Sequence, residues 1–200
     1  MNEIIIASHN PGKVKEFRSL FQDLAIEVKS LADYPELTEV EETGTSFEEN
    51  ASLKAETIAK ALNTMVIADD SGLCVHALDN APGVYSARYA GQPSDARKNN
   101  LKLLENMQGV EDRSAHFVCV LAVAHPQKEI LLIRGQAEGQ ILDHLTGDQG
   151  FGYDPLFYVE SEGATFAQIS KQRKNEISHR AQAFNQLMKV LPQWLEETVE

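Results

Sequence analysis

Apolar and polar positions along the chain follow two rhythms, one of period two and one near three and a half, and the changes between them divide it into strands and helices. Ile4-Ile5-Ile6-Ala7 reads as a short buried strand, and Ser8-His9-Asn10-Pro11-Gly12-Lys13 follows as a polar turn. Val14, Phe17, Leu20, Phe21 and Leu24 recur at helical spacing, with Asn10 placed as N-cap and Pro11 as the first helical residue. Ile26-Glu27-Val28 predicts a second strand. Ser46 and Glu49 are spaced as a capping box ahead of an apolar stripe of Phe47, Ala51, Ala55, Ile58, Ala59 and Leu62, which predicts a helix.

Val66-Ile67-Ala68 is again strand-like and runs into Asp69-Asp70-Ser71-Gly72. This pattern predicts two carboxylates at the carboxyl end of a strand, where open α/β sheets bind ligands. Leu73, Val75 and Ala77 alternate beyond them, so the backbone continues in the sheet or returns to it. Asn80-Ala81-Pro82-Gly83 breaks the run, and residues 84–91, with two tyrosines and Arg88, read as a loop over a site or a subunit interface. Leu101, Leu104 and Met107 mark a helix ending near Gly109. Residues 115–124 and 129–134 are joined by His125-Pro126-Gln127-Lys128 as a hairpin, which makes the sheet mixed. Gly147-Asp148-Gln149-Gly150-Phe151-Gly152-Tyr153-Asp154-Pro155 is too rich in glycine for a core strand, and aromatics beside such open backbone suit a planar ligand. Ser178 is placed as N-cap of a last helix with Ala181, Phe184, Leu187, Met188 and Leu191 on its apolar face, which Pro192 should end or kink.

With 200 residues, of which 42% are hydrophobic, the chain can bury a sizeable core, and it has no repeat or linker, so one domain over residues 1–200 is expected. The first apolar run is too short for a signal peptide core, and no segment approaches the roughly 18 to 20 apolar residues of a membrane span. The expectation is a soluble cytoplasmic protein without a membrane partner. A net charge of −12 argues against nucleic acid as a partner, since phosphate backbones need a basic face. Against that acidic background Lys171, Arg173, Lys174 and Arg180 cluster around Glu176. Cys74 and Cys119 lie in apolar runs without metal-ligand spacing, which predicts buried reduced thiols.

Candidate chemistry sits at four places. The helix N-terminus after Asn10, with free N–H groups and Lys13, reads as an anion site. The acidic loop with Glu36, Glu39, Glu41 and Glu42 precedes the second helix, where Asn50 and Lys54 either reach a cleft or form an ordinary i, i+4 pair. Asp69 and Asp70 alternate in facing, and either could act as a base. His179 and Arg180 in a first helical turn oppose the helix dipole unless an anion is near, which points to a ligand.

The order and spacing of Ser8-His9-Asn10-Pro11-Gly12-Lys13, Glu41-Glu42-Thr43-Gly44-Thr45, Ala68-Asp69-Asp70-Ser71-Gly72-Leu73, Phe151-Gly152-Tyr153-Asp154-Pro155 and Ser178-His179-Arg180 resemble the inosine/xanthosine triphosphate pyrophosphatase family, as does Pro82-Gly83-Val84-Tyr85-Ser86-Ala87-Arg88-Tyr89-Ala90-Gly91. The resemblance spans Ile4 to about Gln182. It implies an α/β fold with an elongated mixed β-sheet flanked by helices, two lobes with a central nucleotide-binding cleft, and a homodimer. It also implies Mg²⁺-dependent hydrolysis of ITP, dITP and XTP to the monophosphate and pyrophosphate. Carried over, Ser8, His9, Asn10, Pro11, Gly12 and Lys13 hold the triphosphate, His9 and Pro11 through backbone only. Asp70 is the general base, Ser71 contacts substrate, and Glu41 with Asp70 holds the metal. Phe151, Gly152, Tyr153, Asp154, Lys174, His179 and Arg180 bind the nucleotide. A haloacid-dehalogenase-like phosphatase would need Asp-x-Asp, and the aspartates here are adjacent with no Gly-Thr following. A nucleotide sensor binding through Lys13, Phe151 and Arg180 without turnover is the remaining alternative.

Overall fold

The structure, a computed structural model, describes residues 3–24, 26–38 and 40–196; Glu39 of the acidic loop lies outside them. In chain order the elements are β1 (Glu3–Ile6), α1 (Pro11–Leu20), β2 (Glu27–Ser30), α2 (Phe47–Leu62), β3 (Val66–Val75), α3 (Ala96–Asn106), β4 (Ser114–His125), β5 (Lys128–Ile141), β6 (Phe157–Val159), β7 (Ala164–Thr165), α4 (Lys171–Ile177) and α5 (His179–Glu196). The strands form a seven-stranded sheet in the order β2-β1-β3-β4-β5-β6-β7. β1 is parallel to β2 and β3, whereas β5, β6 and β7 are antiparallel in turn, so the sheet is mixed as the hairpin required. The chain forms two compact units, one of residues 1–70, 119–135 and 180–200 and one of residues 71–118 and 136–179.

In the first unit, α1 begins where the sequence placed it. Asn10 caps the helix, its Oδ1 accepting from the N–H groups of Gly12 (2.9 Å) and Lys13 (3.2 Å), and Pro11 opens it. Two of the amides expected to be free for an anion are therefore already bonded to a side chain. The helix stops at Leu20 and a 3-10 turn over Gln22–Leu24 follows, leaving Leu24 exposed rather than on the apolar stripe. Phe17 and Phe21 are fully buried with Ile4, Ile6, Ile67, Phe184 and Leu187, and the Phe21 and Phe184 rings meet edge to face at 4.9 Å. Each such side chain contributes about 1.5–3 kcal/mol by leaving water. This cluster covers one face of β1 and β3 with α1 and α5.

Ser46 caps α2 by accepting from the Glu49 N–H (3.1 Å), but the reciprocal half of the capping box lands one residue early. The Glu49 carboxylate takes the N–H (2.6 Å) and hydroxyl (3.0 Å) of Thr45. α5 differs from expectation at Pro192, through which it continues to Glu196. Contacts beyond the proline hold that last turn. The Trp194 indole N–H donates to the Glu129 carbonyl (2.9 Å), and Lys128 Nζ donates to the carbonyls of Trp194 (2.9 Å) and Leu195 (3.0 Å).

The Asp pair does not end a strand. β3 runs unbroken from Val66 to Val75, so Asp69 and Asp70 sit at its middle. What ends there is the neighbour: β1 pairs with β3 only as far as Ile6 opposite Ile67, and the Ala7 N–H closes on the Ile67 carbonyl at 2.8 Å. The carboxylates stand just past the carboxyl end of β1. A buried charge inside a strand persists only when it is paired, and the partners are described below.

The second unit has its own core, with Leu73, Leu103, Met107, Phe117, Leu156, Phe157 and Phe166 among its buried residues. The loop after Pro82 forms a 3-10 turn over Gly83–Arg88, pinned by Ser86, whose Oγ accepts from the Leu73 N–H (2.9 Å) and whose carbonyl accepts from the Tyr153 hydroxyl (2.8 Å). No helix among the described residues is long and apolar enough to cross a membrane.

Candidate functional site

Successive strand residues face opposite ways, so Asp69 and Asp70 meet different surroundings. Asp69 shares the face of Ile67, under α1 and α5. Its Oδ2 accepts from Arg180 Nε (3.1 Å) and from the Cys119 thiol (3.0 Å), and Lys13 pairs with its Oδ1. Arg180, 1% exposed, also donates through Nη1 to Glu16 of α1. The anion that the helix dipole asked for beside Arg180 is thus supplied from within the chain. Burial works against an ionised Asp69, yet Arg180 and then Lys13 and the thiol outweigh it and hold the carboxyl well below the ordinary carboxylate range.

Asp70 shows the opposite balance. It is buried, its Oδ1 lies 3.6 Å from Lys54 Nζ, and its Oδ2 has no hydrogen-bond partner among the described residues. Lys54 divides its charge, donating also to Glu42 Oε1 (2.7 Å) and to the Asp69 carbonyl (2.8 Å). Burial pushes the Asp70 carboxyl up to about 6 against the attraction of Lys54 and Lys13, and Glu42 and Asp69 add to the rise. Two neighbouring carboxyls pushed apart in this way are suited to separate tasks, one a fixed charge and one a proton acceptor near neutrality.

The surrounding loops are built for close approach. Ser8 Oγ accepts from the Asn10 N–H (3.1 Å), which fixes the turn into α1, while His9, Asn10 and Pro11 are exposed. The Gly44 N–H donates to Asn50 Oδ1 (2.8 Å), and a Cβ at Gly44 would fall 2.7 Å from that oxygen. This contact holds the segment carrying Glu41 and Glu42 against α2. Glu41 is exposed, Glu42 is half-buried on Lys54, and Ser71, half-buried, follows Asp70 along β3.

In the second unit the glycine-rich segment folds as a loop around Asp154. Its Oδ2 accepts from the Phe151 N–H (2.8 Å) and from Lys174 Nζ (2.5 Å), and both Asp154 and Lys174 are buried. The Lys174 ammonium lies 4.9 Å from the Phe151 ring centre and 5.5 Å from that of Phe166. Asn100 Nδ2 donates to the Gly152 carbonyl (2.8 Å), and His179 stacks on Phe117 at 4.7 Å with 12° between the rings. Gly150 is at φ +74°, and a Cβ there would meet Asp154 Oδ2 at 2.0 Å. Gly150→Ala is therefore expected to cost about 2–4 kcal/mol through backbone strain and displacement of the Asp154–Lys174 pair. Chemical denaturation checks this, and a loss below about 0.5 kcal/mol would show that the loop adapts freely.

Residues 4–190 match the profile of the Ham1 family. The chain belongs to the Ham1 family. A dITP/XTP pyrophosphatase of Listeria monocytogenes is 56% identical to this Ham1-family chain, over 100% of both sequences. The Ham1 protein of Staphylococcus aureus superposes with a TM-score of 0.85 at 48% identity, covering 96% of this chain and 98% of that one. A HAM1 protein of Coxiella burnetii gives 0.86 at 42% identity, over 96% and 100%.

Two members of the charge cluster, Glu16 and Cys119, escape a reading of the sequence, and a third, Lys54, is only half legible in it. Glu16 looks like one more helix-surface acid, and nothing local pairs it with Arg180, which is 164 positions away. Cys119 reads as a core thiol, and it is one, buried and free of any disulfide; its bond to Asp69 depends on β3 and β4 being neighbours. For Lys54 the sequence admits both a cleft residue and an i, i+4 partner of Asn50. The structure gives it to Glu42 and Asp70, and the signal is its position two helical turns after the Ser46 cap, at the margin of the apolar stripe beside Phe47 and Ile58.

Proposed function

We propose that this chain hydrolyses non-standard purine nucleoside triphosphates, ITP, dITP and XTP, to the nucleoside monophosphate and pyrophosphate, a reading supported by its Listeria monocytogenes relative, which is named a dITP/XTP pyrophosphatase. The observation that carries the reading is Asp70, a buried carboxylate with one unpartnered oxygen and a proton affinity raised to about 6. In this reading Asp70 takes a proton from a water attacking the α-phosphorus, the bond from that phosphorus to the bridging oxygen breaks, and pyrophosphate departs. Lys13, exchanging Asp69 for phosphate, and the Ser8-His9-Asn10-Pro11-Gly12-Lys13 turn stabilise the departing charge. Phe151 offers a ring for base stacking, with Gly152, Tyr153, Asp154 and Lys174 shaping the loop that presents it. Ser71 contacts substrate, and His179 is a donor for the 6-oxo group. Arg180 enters through Asp69, whose charge and position it fixes.

The donor set suits Mg²⁺, which takes hard oxygen ligands from one or two carboxylates together with substrate phosphates. Asp70 Oδ2 is such a donor, and Glu41 is the second protein ligand in this reading. When bound, Mg²⁺ would spread the negative charge of the phosphates. Glu41→Gln is expected to raise the Mg²⁺ concentration for half-maximal rate by about tenfold. An unchanged titration in Glu41→Gln, with a raised one in Glu42→Gln, would move that role to Glu42. A homodimer working in the cytoplasm on the free nucleotide pool belongs to the same proposal.

The deciding experiment is product analysis on ITP, dITP and XTP with Mg²⁺. Release of pyrophosphate and monophosphate is expected. Orthophosphate would favour a phosphatase, and tight binding without any product would favour a sensor.

A further inference from the structure

The second unit carries a cluster of metal-ligating side chains that the proposed hydrolysis does not use. His76 follows directly after β3, His116 lies on β4 and Glu138 on β5, three neighbouring strands, and the three donor atoms lie within 4.8 Å of one another. His76 and Glu138 are exposed and His116 is half-buried, so the group opens to solvent. Nothing in the linear sequence announces it, since the two histidines are 40 positions apart. We propose that His76, His116 and Glu138 form a surface site for a divalent transition ion of the Zn²⁺ type.

The hydrogen bonds around the cluster fix which nitrogen faces the ion. Asp112, held ionised by bonds from the Ser114 hydroxyl and N–H, can only accept. Ser114 Oγ therefore donates its single proton to Asp112 Oδ1 (2.5 Å) and offers a lone pair to His76 Nδ1 (2.9 Å). That bond places a proton on His76 Nδ1 and leaves its Nε2, 2.9 Å from His116 Nδ1, as the nitrogen that would meet an ion. A carboxylate relay behind a histidine is the outer-shell arrangement that orients imidazole ligands in zinc sites. For His116 to join through Nδ1 that nitrogen must present a lone pair, as in the neutral ring protonated at Nε2.

The distances suit a small ion of intermediate softness. Zn²⁺ holds nitrogen and carboxylate oxygen at about 2.0–2.2 Å in a tetrahedron, which sets neighbouring ligand atoms about 3.2–3.5 Å apart. The histidine pair has only to open slightly, and the exposed Glu138, presently accepting from Gln136 Nε2 (2.5 Å), has only to swing inward. Three protein ligands leave one position for water. Two imidazoles disfavour Mg²⁺, which prefers oxygen throughout. An ion bound here would tie β3, β4 and β5 together and stabilise the folded chain by linkage.

The test is calorimetric titration of the full chain with Zn²⁺ in buffer already containing excess Mg²⁺, paired with thermal melting. One Zn²⁺ per chain is expected, with a rise in Tm, and an affinity reduced by at least about tenfold in His76→Ala and in His116→Ala. Asp112→Asn, which touches no metal, should weaken binding by about tenfold through the serine relay. Glu138→Gln, at an exposed position, guards against misfolding as the cause of any loss. Co²⁺ used as a spectroscopic probe should give tetrahedral d–d bands in the parent and lose them in His116→Ala. Unaltered stoichiometry and affinity in both histidine variants would overturn the site. So would Zn²⁺ binding that disappears in Asp70→Asn or is displaced by Mg²⁺.

Discussion

Asp70→Asn is expected to lose about 10²–10⁴-fold in turnover while its metal-free form becomes more stable than the parent. The amide keeps the size and polarity of the carboxyl but cannot accept the proton of an attacking water. The stability gain follows from the raised proton affinity. A carboxyl whose folded pKa of about 6 exceeds the ordinary 3.8 binds its proton more tightly when folded. The carboxylate therefore costs the fold nothing at pH values below the unfolded pKa, progressively more between the two, and a constant amount above the folded one. That constant is on the order of 2–3 kcal/mol, which asparagine avoids. Metal-free melting of parent and variant should show a gap in favour of the variant at pH 8 that closes toward pH 4. Near-normal turnover in a folded Asp70→Asn protein would remove Asp70 from the chemistry. A stability gap independent of pH would show that its burial is not what perturbs it.

Arg180→Met is expected to destabilise the chain by about 3–5 kcal/mol, the usual consequence of removing one partner from a buried ionic group. Methionine fills much of the volume, so the loss reports charge more than packing. It takes the guanidinium away from Glu16 and from Asp69, which keeps Lys13 and the Cys119 thiol. The pH dependence separates this from a cavity effect. Asp69 has a depressed pKa, so the stability it supplies is fully present above the unfolded pKa near 4 and is lost as pH falls toward the folded value. Taking Arg180 away should flatten that acid limb. Glu16→Gln combined with Arg180→Met should recover part of the loss, because the carboxylate that faced the guanidinium is neutralised with it. A double variant no better than the single would place the cost in shape rather than charge.

How much of this was legible in the sequence depended on distance along the chain. The Asn10 cap with Pro11, the α2 stripe and the hairpin turn between β4 and β5 are set by residues within a few positions of one another and formed as read, although β5 runs on to Ile141, beyond the expected end at Arg134. The capping box shifts toward Thr45 because that residue offers the Glu49 carboxylate both an N–H and a hydroxyl. α5 outlasted Pro192 because Lys128 and Glu129, remote in sequence, anchor its final turn. The Asp pair reads as a strand end because the apolar run Val66-Ile67-Ala68 gives way there to two charges and a small turn, and charge inside a strand is costly without partners. Only the tertiary partners Arg180, Lys13 and Lys54 make the continuous strand affordable. The same partners explain why the roles of Asp69 and Asp70 could not be separated from sequence, since one facing can be told from the other only when the helices on each side are known.

The adjacency of Asp69 and Asp70 on one strand has a genetic consequence. A one-residue slip of β3 would exchange the two faces and with them every side chain. The carboxyl held by Arg180 would then point toward α2, and the one beside Lys54 would point toward α1 and α5. Single-codon insertions or deletions upstream of the pair within this strand are thus intolerable for two reasons at once, misplaced apolar residues and exchanged charges.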